Sequence, residues 1–214
     1  DLKHLDIDKG VMTLVDEANQ LRIMDHLRGR YHQRGSGGSA ANSVIALSQF
    51  GGSGYYACKV ADDELGHFYM KDLKTGGVAT LDTSFLAKGD TGRCVVMVTP
   101  DSDRTMCTYL GISGNLSVHE VNVDALRASK WFYTEGYLVT SETARVAAIE
   151  ARKAAEHAGV KTALSLSDPN MVKFFKDGLK EMIGDGVDLI FANEHEAKGM
   201  ARTKVGGDGL EGGI

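Results

Sequence analysis

The chain has 214 residues, 43% of them hydrophobic, which is enough to bury a sizeable core in one large domain or in a domain with an appendage. Its formal net charge of −5, with Lys and Arg scattered along the sequence, argues against nucleic acid or an anionic membrane surface as the main partner. No apolar run approaches the roughly 20 residues of a membrane-spanning helix, so no membrane partner is expected.

After a short strand predicted over residues 10–15, the first strong signal is a glycine pair before a helix of small residues. Gly37 and Gly38 carry no side chain that would keep a ligand from the backbone, and the helix start behind them offers unpaired N–H groups. Asn42 lies in the first turn of this helix, and Gly51-Gly52 ends it. The pattern predicts a site for a small polyhydroxylated molecule. A surface loop between two helices is the alternative.

A strand over residues 55–60 and a helix over residues 62–75 come next. The stretch that follows differs, because two β-rich runs, 94–99 and 104–109, flank a turn-forming Pro-Asp-Ser-Asp tetrad. These runs predict an antiparallel hairpin. Together with the strand over residues 10–15, the hairpin predicts a small β-layer beside the ligand site, which suggests a lid.

Strands and helices alternate over the second half of the chain. The predicted elements are a strand over 131–139, a helix over 141–158, a strand over 161–167, a helix over 171–183 and a strand over 187–192. Thr140 or Ser141 caps the first of these helices, and Gly159 ends it. The alternation implies a parallel sheet that is covered by helices on both faces.

Four polar residues, Asn193-Glu194-His195-Glu196, directly follow the last apolar strand. In open α/β sheets, ligands bind outside the carboxyl ends of the strands, and Asn193 and Glu196 are spaced to share one face of a helix. An amide and a carboxylate suit the water shell of Mg²⁺ beside the phosphates of a nucleotide. An ordinary helix start, with Asn as the cap and Glu favoured by the helix dipole, explains the same residues. Both interpretations stay open.

Other groups give weaker signals. Arg104, at the start of the second hairpin strand, is a cation that could move onto a transferring phosphoryl group, or an exposed hairpin arginine. Asp168-Pro169-Asn170 follows another strand at its carboxyl end, which is a second position for a ligand. A turn and helix cap is the alternative interpretation. His195 has no partner His or Cys at metal-ligand spacing. Glycines 207, 209 and 212 form G-x-G-x-x-G without the βαβ context of a dinucleotide site.

Taken together, these motifs resemble the ribokinase-like (PfkB) family of carbohydrate and nucleoside kinases, most closely its adenosine-kinase-like branch. The matching motifs run in family order and comprise Gly37–Asn42 with Gly51-Gly52, Val60–Gly66, Thr91–Cys94, Asp103–Met106, Glu135–Leu138, Ser165–Pro169 and Ala192–Ala197. The resemblance implies an α/β fold, a three-layer α/β/α ribokinase-like sandwich, with a small β-sheet lid formed by segments near 10–16 and 92–111. The whole chain, 1–214, would then be part of one kinase domain.

The resemblance also implies roles for individual residues. Gly37, Gly38, Ser39 and Asn42 would bind or closely approach the sugar, and Arg104 would clamp phosphate when the lid closes. Asn193 and Glu196 match the family's N-x-x-E, which orders Mg²⁺ and its water near the phosphates of ATP. The implied reaction transfers the γ-phosphate of ATP to a hydroxyl of a sugar or nucleoside, with adenosine or a related nucleoside favoured.

Two parts of the family pattern have no match in this sequence. The family takes its catalytic base and its charge-offsetting donors from a later G-A-G-D segment, and an earlier strand carries an aspartate that binds sugar hydroxyls. Neither is present in the sequence, so the chain is expected to be part of a kinase that cannot phosphorylate alone. A non-catalytic sugar- or nucleoside-binding module is the alternative.

Compartment and assembly are predicted from the cysteines and the hairpin. Cys58, Cys94 and Cys107 are far apart and odd in number, which fits a reducing, cytoplasmic setting with neither a disulfide framework nor a zinc site. The hairpin also carries apolar positions, such as Val95 and Met106. They could form a homodimer surface in the lid, or they could simply cover the active site.

Overall fold

The computed structural model describes residues 2–30, 33–82 and 86–201. The chain divides into two compact units, Asp1–Gly114 and Asn115–Ile214. The first unit contains α1 (Glu17–His26), α2 (Ser39–Gln49), α3 (Glu64–Thr75), β1 (Met12–Leu14), β2 (Gly54–Tyr56), β3 (Val78–Thr80), β4 (Thr91–Val98) and β5 (Arg104–Gly111). The second contains α4 (Val123–Arg127), β6 (Trp131–Glu135), α5 (Glu142–His157), β7 (Lys161–Ser165), α6 (Pro169–Ile183), β8 (Leu189–Phe191) and α7 (Glu194–Ala201).

The predicted hairpin is present as β4 and β5, which pair antiparallel with Val96 opposite Met106. Strand β1 adds to β5 in parallel, so the sheet order is β1-β5-β4. One face of this sheet packs against α1 around the buried residues Leu5, Ile23 and Cys107. The sequence patterns missed α1, although Asp16 caps it by accepting a hydrogen bond from the amide of Asn19.

A second sheet in the first unit pairs β2 and β3 in parallel. Helices α2 and α3 enclose a core with these strands, centred on the buried residues Ala41, Leu73 and Val78. The strand predicted over residues 55–60 is shorter in the structure, because β3 offers β2 only three residues for pairing. The helix predicted after it begins at Glu64 behind its cap, Asp63.

The second unit holds the predicted parallel sheet, in the order β6-β7-β8. Helices α5 and α6 pack on it through buried residues that include Leu164, Leu166, Leu179 and Met182. The strand predicted over 131–139 ends at Glu135, where its pairing with Ser165 ends, and a 3-10 helix spans Gly136–Thr140. Ser141 caps α5, and Gly159 follows that helix with a φ of +72°.

Strand β8 is an edge strand within the part of the chain that the structure describes. Leu189, Ile190 and Phe191 are 41%, 38% and 50% exposed, although a run of apolar residues is typical of a strand that is buried on both faces. The G-x-G-x-x-G at 207–212 lies outside the described residues. Over the ranges that are described, none of the helices is both long and apolar enough to cross a membrane.

The close packing of Gly66 gives a test of the first unit. A Cβ on this buried residue of α3 would lie 2.0 Å from the carbonyl oxygen of Ala61. We expect Gly66→Ala to lower the free energy of unfolding by about 1–3 kcal/mol. Gly114→Ala is the control, because its Cβ would meet only Leu110 at 3.7 Å, an ordinary contact. Chemical denaturation of both variants measures the difference, and equal stabilities would contradict this packing.

Candidate active site

The glycine pair lies at the start of α2 and leaves the backbone open. Gly38 is the N-cap of α2 with a φ of 103°, a conformation that only glycine adopts readily. It has no side chain to cap the first turn, so the amide N–H groups of that turn keep their capacity to bind a ligand. A Cβ built on Gly37 or Gly38 meets nothing within 4 Å. Ser39 and Asn42 follow, and both are exposed.

Helix α3 holds the segment that leads into this helix start. The amide of Ser36 donates to a carboxylate oxygen of Asp72 at 2.9 Å, and the hydroxyl of Tyr69 donates to the carbonyl oxygen of Gly37 at 3.0 Å. The hydrogen bonds from Ser36 lower the pKa of Asp72. At the first residue of α3, Glu64 forms an ion pair with Arg34 at 2.9 Å. The glycine pair is therefore placed by contacts with another helix.

Asp63 joins the start of α3 to the start of β4. Its carboxylate accepts hydrogen bonds from the amide of Gly66 at 2.7 Å, the amide of Thr91 at 2.8 Å and the hydroxyl of Thr91 at 2.6 Å. Burial alone would raise the pKa of Asp63, but the bonds from Thr91 and Gly66 outweigh it, and the pKa is lowered. The base of the hairpin is thus tied to the helix that holds the glycine pair.

Arg104 begins β5 at the tip of the hairpin and is exposed. Its amide donates to Asp103 at 3.1 Å, and its guanidinium makes no hydrogen bond or ion pair within the described ranges. Nearby, Lys9 binds Asp101 and lowers the pKa of that carboxyl to about 2. Lys9 also lies 3.9 Å from a carboxylate oxygen of Asp103, so the contacts of both nearby aspartates with a cation are to Lys9 and not to the guanidinium of Arg104. No hydrogen bond in the described chain joins it to the glycine pair.

In the second unit, Asn193 and Glu196 are brought together at the start of α7. The amide and the side-chain Nδ2 of Asn193 donate to the two carboxylate oxygens of Glu196 at 3.0 and 2.8 Å, and the amide of Glu196 donates back to Asn193 Oδ1 at 2.9 Å. This reciprocal cap is the ordinary helix start that the sequence left open. Glu196 is nevertheless 5% exposed, which is unusual for a carboxylate at a helix start.

A further buried carboxylate, Glu135, lies at the end of β6. It accepts hydrogen bonds from the hydroxyl of Tyr133 at 2.9 Å and from the hydroxyl of Ser167 at 2.8 Å. Ser167 has a φ of 68°, which non-glycine residues seldom adopt. Burial and the bond to Glu135 raise the pKa of Tyr133 to about 12. The sequence patterns gave Glu135 no role, because its partner Ser167 lies 32 residues away.

Three carboxylates face Tyr137 at this end of the sheet. Burial raises the pKa of Tyr137, and the charges of Asp168, Glu135 and Glu196 raise it further. Asp168 also caps α6 by accepting from the amide of Asn170 at 2.7 Å, as its turn interpretation predicted. These groups stand where the parallel strands end, which is the position at which open α/β sheets bind ligands.

The donor set at Glu196 suits Mg²⁺ held through water. Among the described residues, no three His, Cys, Asp or Glu side chains lie close enough together to hold a metal ion directly. Each carboxylate oxygen of Glu196 accepts one N–H donor from Asn193 and has two lone pairs, so each retains capacity for a hydrogen bond from water. Mg²⁺ keeps several waters and is often bound through one or two carboxylates and substrate phosphates.

Comparison with known proteins places these motifs among kinases. Residues 7–208 match the family described as pfkB family carbohydrate kinase. Over 137 residues the chain is 32% identical to probable fructokinase-4 of Arabidopsis thaliana and 33% identical to fructokinase-2 of Solanum lycopersicum. Each match covers 63% of this chain and 41% of the relative. The chain thus spans about two fifths of the length of these fructokinases.

Solved structures give a longer match. The adenosine kinase from Sinorhizobium meliloti is 34% identical and superposes with a TM-score of 0.84, covering 95% of this chain and 62% of that one. A probable sugar kinase from Rhizobium etli is 30% identical with a TM-score of 0.83 and the same coverage. The adenosine kinase from Trypanosoma brucei brucei is 27% identical with a TM-score of 0.79, covering 94% and 62% of the two chains.

The lowered pKa of Asp63 predicts an acid dependence of stability. A carboxyl whose pKa is lower in the folded state stabilises the fold above its unfolded pKa, about 3.9, and loses that contribution as the pH falls through its folded pKa. We expect the free energy of unfolding to fall below about pH 4, less steeply in Asp63→Asn. Thr91→Val should flatten the profile in part. Denaturation curves from pH 2 to pH 7 measure this, and identical slopes in all three proteins would contradict it.

Proposed function

The chain belongs to the pfkB carbohydrate kinase family and has the ribokinase-like fold that its motifs predicted, and we propose that the protein transfers the γ-phosphate of ATP to a hydroxyl of a sugar or nucleoside. The observation that carries the proposal is the open, uncapped start of α2 behind Gly37 and Gly38. Backbone donors without side chains around them suit a polyhydroxylated acceptor.

The acceptor is proposed to lie against Gly37, Gly38, Ser39 and Asn42. The adenosine kinases among the similar structures support adenosine or a related nucleoside. The fructokinases among the relatives support a sugar, so fructose is the second acceptor to test. Exposed glycine and asparagine positions suit hydroxyl groups in either case.

Arg104 is proposed as the phosphate clamp. Segments 10–16 and 92–111 would act as the lid that carries it, and its unpaired guanidinium would offset charge on the transferring phosphoryl group. The face of the hairpin sheet that carries Met12, Leu14 and Val96 leaves these residues 37%, 53% and 52% exposed. That face would either cover the acceptor or pair with a second copy, and sedimentation of the protein distinguishes the two.

Asn193 and Glu196 are proposed to order Mg²⁺ and its water beside the phosphates of ATP. When bound, Mg²⁺ bridges phosphate oxygens and neutralises their charge. Glu196 would accept hydrogen bonds from the water shell, while the two N–H donors of Asn193 keep the Glu196 carboxylate oriented. Glu135, held by Tyr133 and Ser167, adds a fixed negative charge at the same end of the sheet.

We expect residues 1–214 to bind the acceptor without transferring phosphate. The reaction needs a base for the hydroxyl proton, and this sequence contains no G-A-G-D segment to supply it. The alternative, a non-catalytic sugar- or nucleoside-binding module, rests on the same glycine pair. Within the described residues no disulfide joins Cys58, Cys94 or Cys107, and we propose a cytoplasmic setting for the protein.

A phosphotransfer assay separates these functions. The full-length protein and the 214-residue chain are each incubated with Mg-ATP and adenosine, inosine, ribose or fructose, and ADP and phosphorylated product are measured. We expect product from the full-length protein alone. Binding without product in both would favour the binding module, and robust turnover by the 214-residue chain would show that the G-A-G-D segment is dispensable.

A methyl group at Gly37 should block the acceptor without harming the fold. Gly37→Ala would project its Cβ into open space, so we expect the unfolding midpoint to stay unchanged. In the full-length protein the KM for the acceptor should rise by about tenfold or more, because the ligand loses its approach to the backbone. Gly35→Ala, also in open space, is the matched control. An unchanged KM in Gly37→Ala would remove the glycine pair from the acceptor site.

Glu196→Gln should weaken the response to magnesium. An amide has one oxygen instead of two and carries no charge, so it cannot accept the two Asn193 donors on separate oxygens as the carboxylate does. The Mg²⁺ concentration for half-maximal activity should therefore rise by roughly 10- to 100-fold. Glu194→Gln is the control, since Glu194 is exposed and pairs with Lys198. Thermal unfolding of both variants separates loss of the cap from loss of magnesium. Equal magnesium curves would contradict the proposed role of Glu196.

A further inference from the structure

Two adjacent glycines cannot hold their own conformation, so something else must orient the peptide between Gly37 and Gly38. Glycine is the residue with the widest choice of backbone angles, and the uncapped first turn of α2 depends on where this peptide points. On the N-terminal side, Asp72 fixes Ser36, and on the C-terminal side, α2 begins at Ser39. The peptide between these two fixed points needs a contact of its own.

Tyr69 supplies that contact. Its hydroxyl donates to the carbonyl oxygen of Gly37 at 3.0 Å across 32 residues of sequence. This peptide bond is trans, as are the others in the described chain, and in a trans peptide the C=O and the following N–H point in opposite directions. Holding the carbonyl of Gly37 against α3 therefore turns the N–H of Gly38 away from α3. Within the described ranges, that N–H donates to no protein group.

The Tyr69 side chain is itself well fixed. It packs, with Tyr56 and Cys58, against the buried residues Ala41 and Leu73. Burial raises the pKa of Tyr69, and the neighbouring Tyr56 and Cys58 raise it further. The raised pKa favours the protonated hydroxyl, the form that donates to the carbonyl oxygen of Gly37.

We propose that Tyr69 is a positioning residue for the acceptor: by holding the Gly37 carbonyl, it presents the N–H of Gly38 and the first turn of α2 to the sugar hydroxyls. The inference rests on the proposed function of the glycine pair and adds a residue that touches no reacting atom. Tyr69 makes its contact with the protein backbone at the proposed acceptor position and not with the proposed nucleotide site. Its loss should therefore cost acceptor affinity and leave ATP binding alone.

The test compares Tyr69→Phe with Thr75→Val in the full-length protein. Both remove a hydroxyl that donates to a backbone carbonyl from α3, because Thr75 donates to the carbonyl oxygen of Lys71 at 2.9 Å. In Tyr69→Phe we expect the KM for the acceptor to rise about fivefold, the effect of one neutral hydrogen bond. The KM for ATP should stay unchanged, and kcat should change less than about twofold. Thr75→Val should leave all three constants unchanged.

A second measurement needs no turnover. Amide hydrogen exchange of residues 36–41 in the ligand-free proteins should be faster in Tyr69→Phe than in wild type, and unchanged in Thr75→Val. If both the exchange and the acceptor KM are unchanged in Tyr69→Phe, the positioning role of Tyr69 is overturned, while the proposed function of the glycine pair is not. If wild type neither binds nor phosphorylates any acceptor, the proposed function fails and the acceptor role of Tyr69 fails with it. Faster exchange would then show only that Tyr69 orders the glycine pair.

Discussion

The carboxylate of Asp63 is the point on which the first unit depends. It binds the amide of Gly66 at the start of α3 and both the amide and hydroxyl of Thr91 at the start of β4. The far contacts of α3, from Tyr69 and Asp72, hold the glycine pair. From Asp63 to Asp72 is nine residues, roughly 14 Å along a helix. One rigid helix thus sets the distance between the base of the hairpin and the start of α2.

The second unit uses a different constraint, the common ending of parallel strands. Strands β6, β7 and β8 end at one edge of their sheet, so Glu135, Ser167 and Asn193 come close together although the sequence separates them widely. The three carboxylates there are held by defined donors: Glu135 by two hydroxyls, Glu196 by Asn193 and Asp168 by the amide of Asn170. Fixed carboxylates are suited to hold a water shell around a divalent cation in a set orientation.

Local signals in the sequence predicted the elements that local physics controls. The hairpin, α5 with its Ser141 cap, and the glycine-led start of α2 all came from residues within a few positions of each other. The predicted strands extend beyond the observed ones, because a strand ends where its pairing partner ends. Strand β6, for example, ends opposite Ser165. Helix α1 was missed although its cap, Asp16, is visible in the sequence.

The candidate site shows the same division. Two short motifs contain the predicted site residues Gly37, Gly38, Asn193 and Glu196. Their residue types and spacing were therefore enough to predict them from the sequence. Tyr69 and Glu135 act through partners 32 residues away in each case, and a single sequence gives no sign of such pairs. The sequence also left open whether Asn193 caps a helix or serves a ligand. The structure shows the cap, and the burial of Glu196 is the feature that a cap alone does not explain.

Amide hydrogen exchange of the full-length protein, measured with and without the proposed sugar or nucleoside acceptor, tests whether the start of α2 receives that acceptor. If the acceptor binds there, exchange over residues 36–43 should be slower when the acceptor is present, with or without ATP. Slower exchange confined to other segments, with residues 36–43 unchanged, would contradict it.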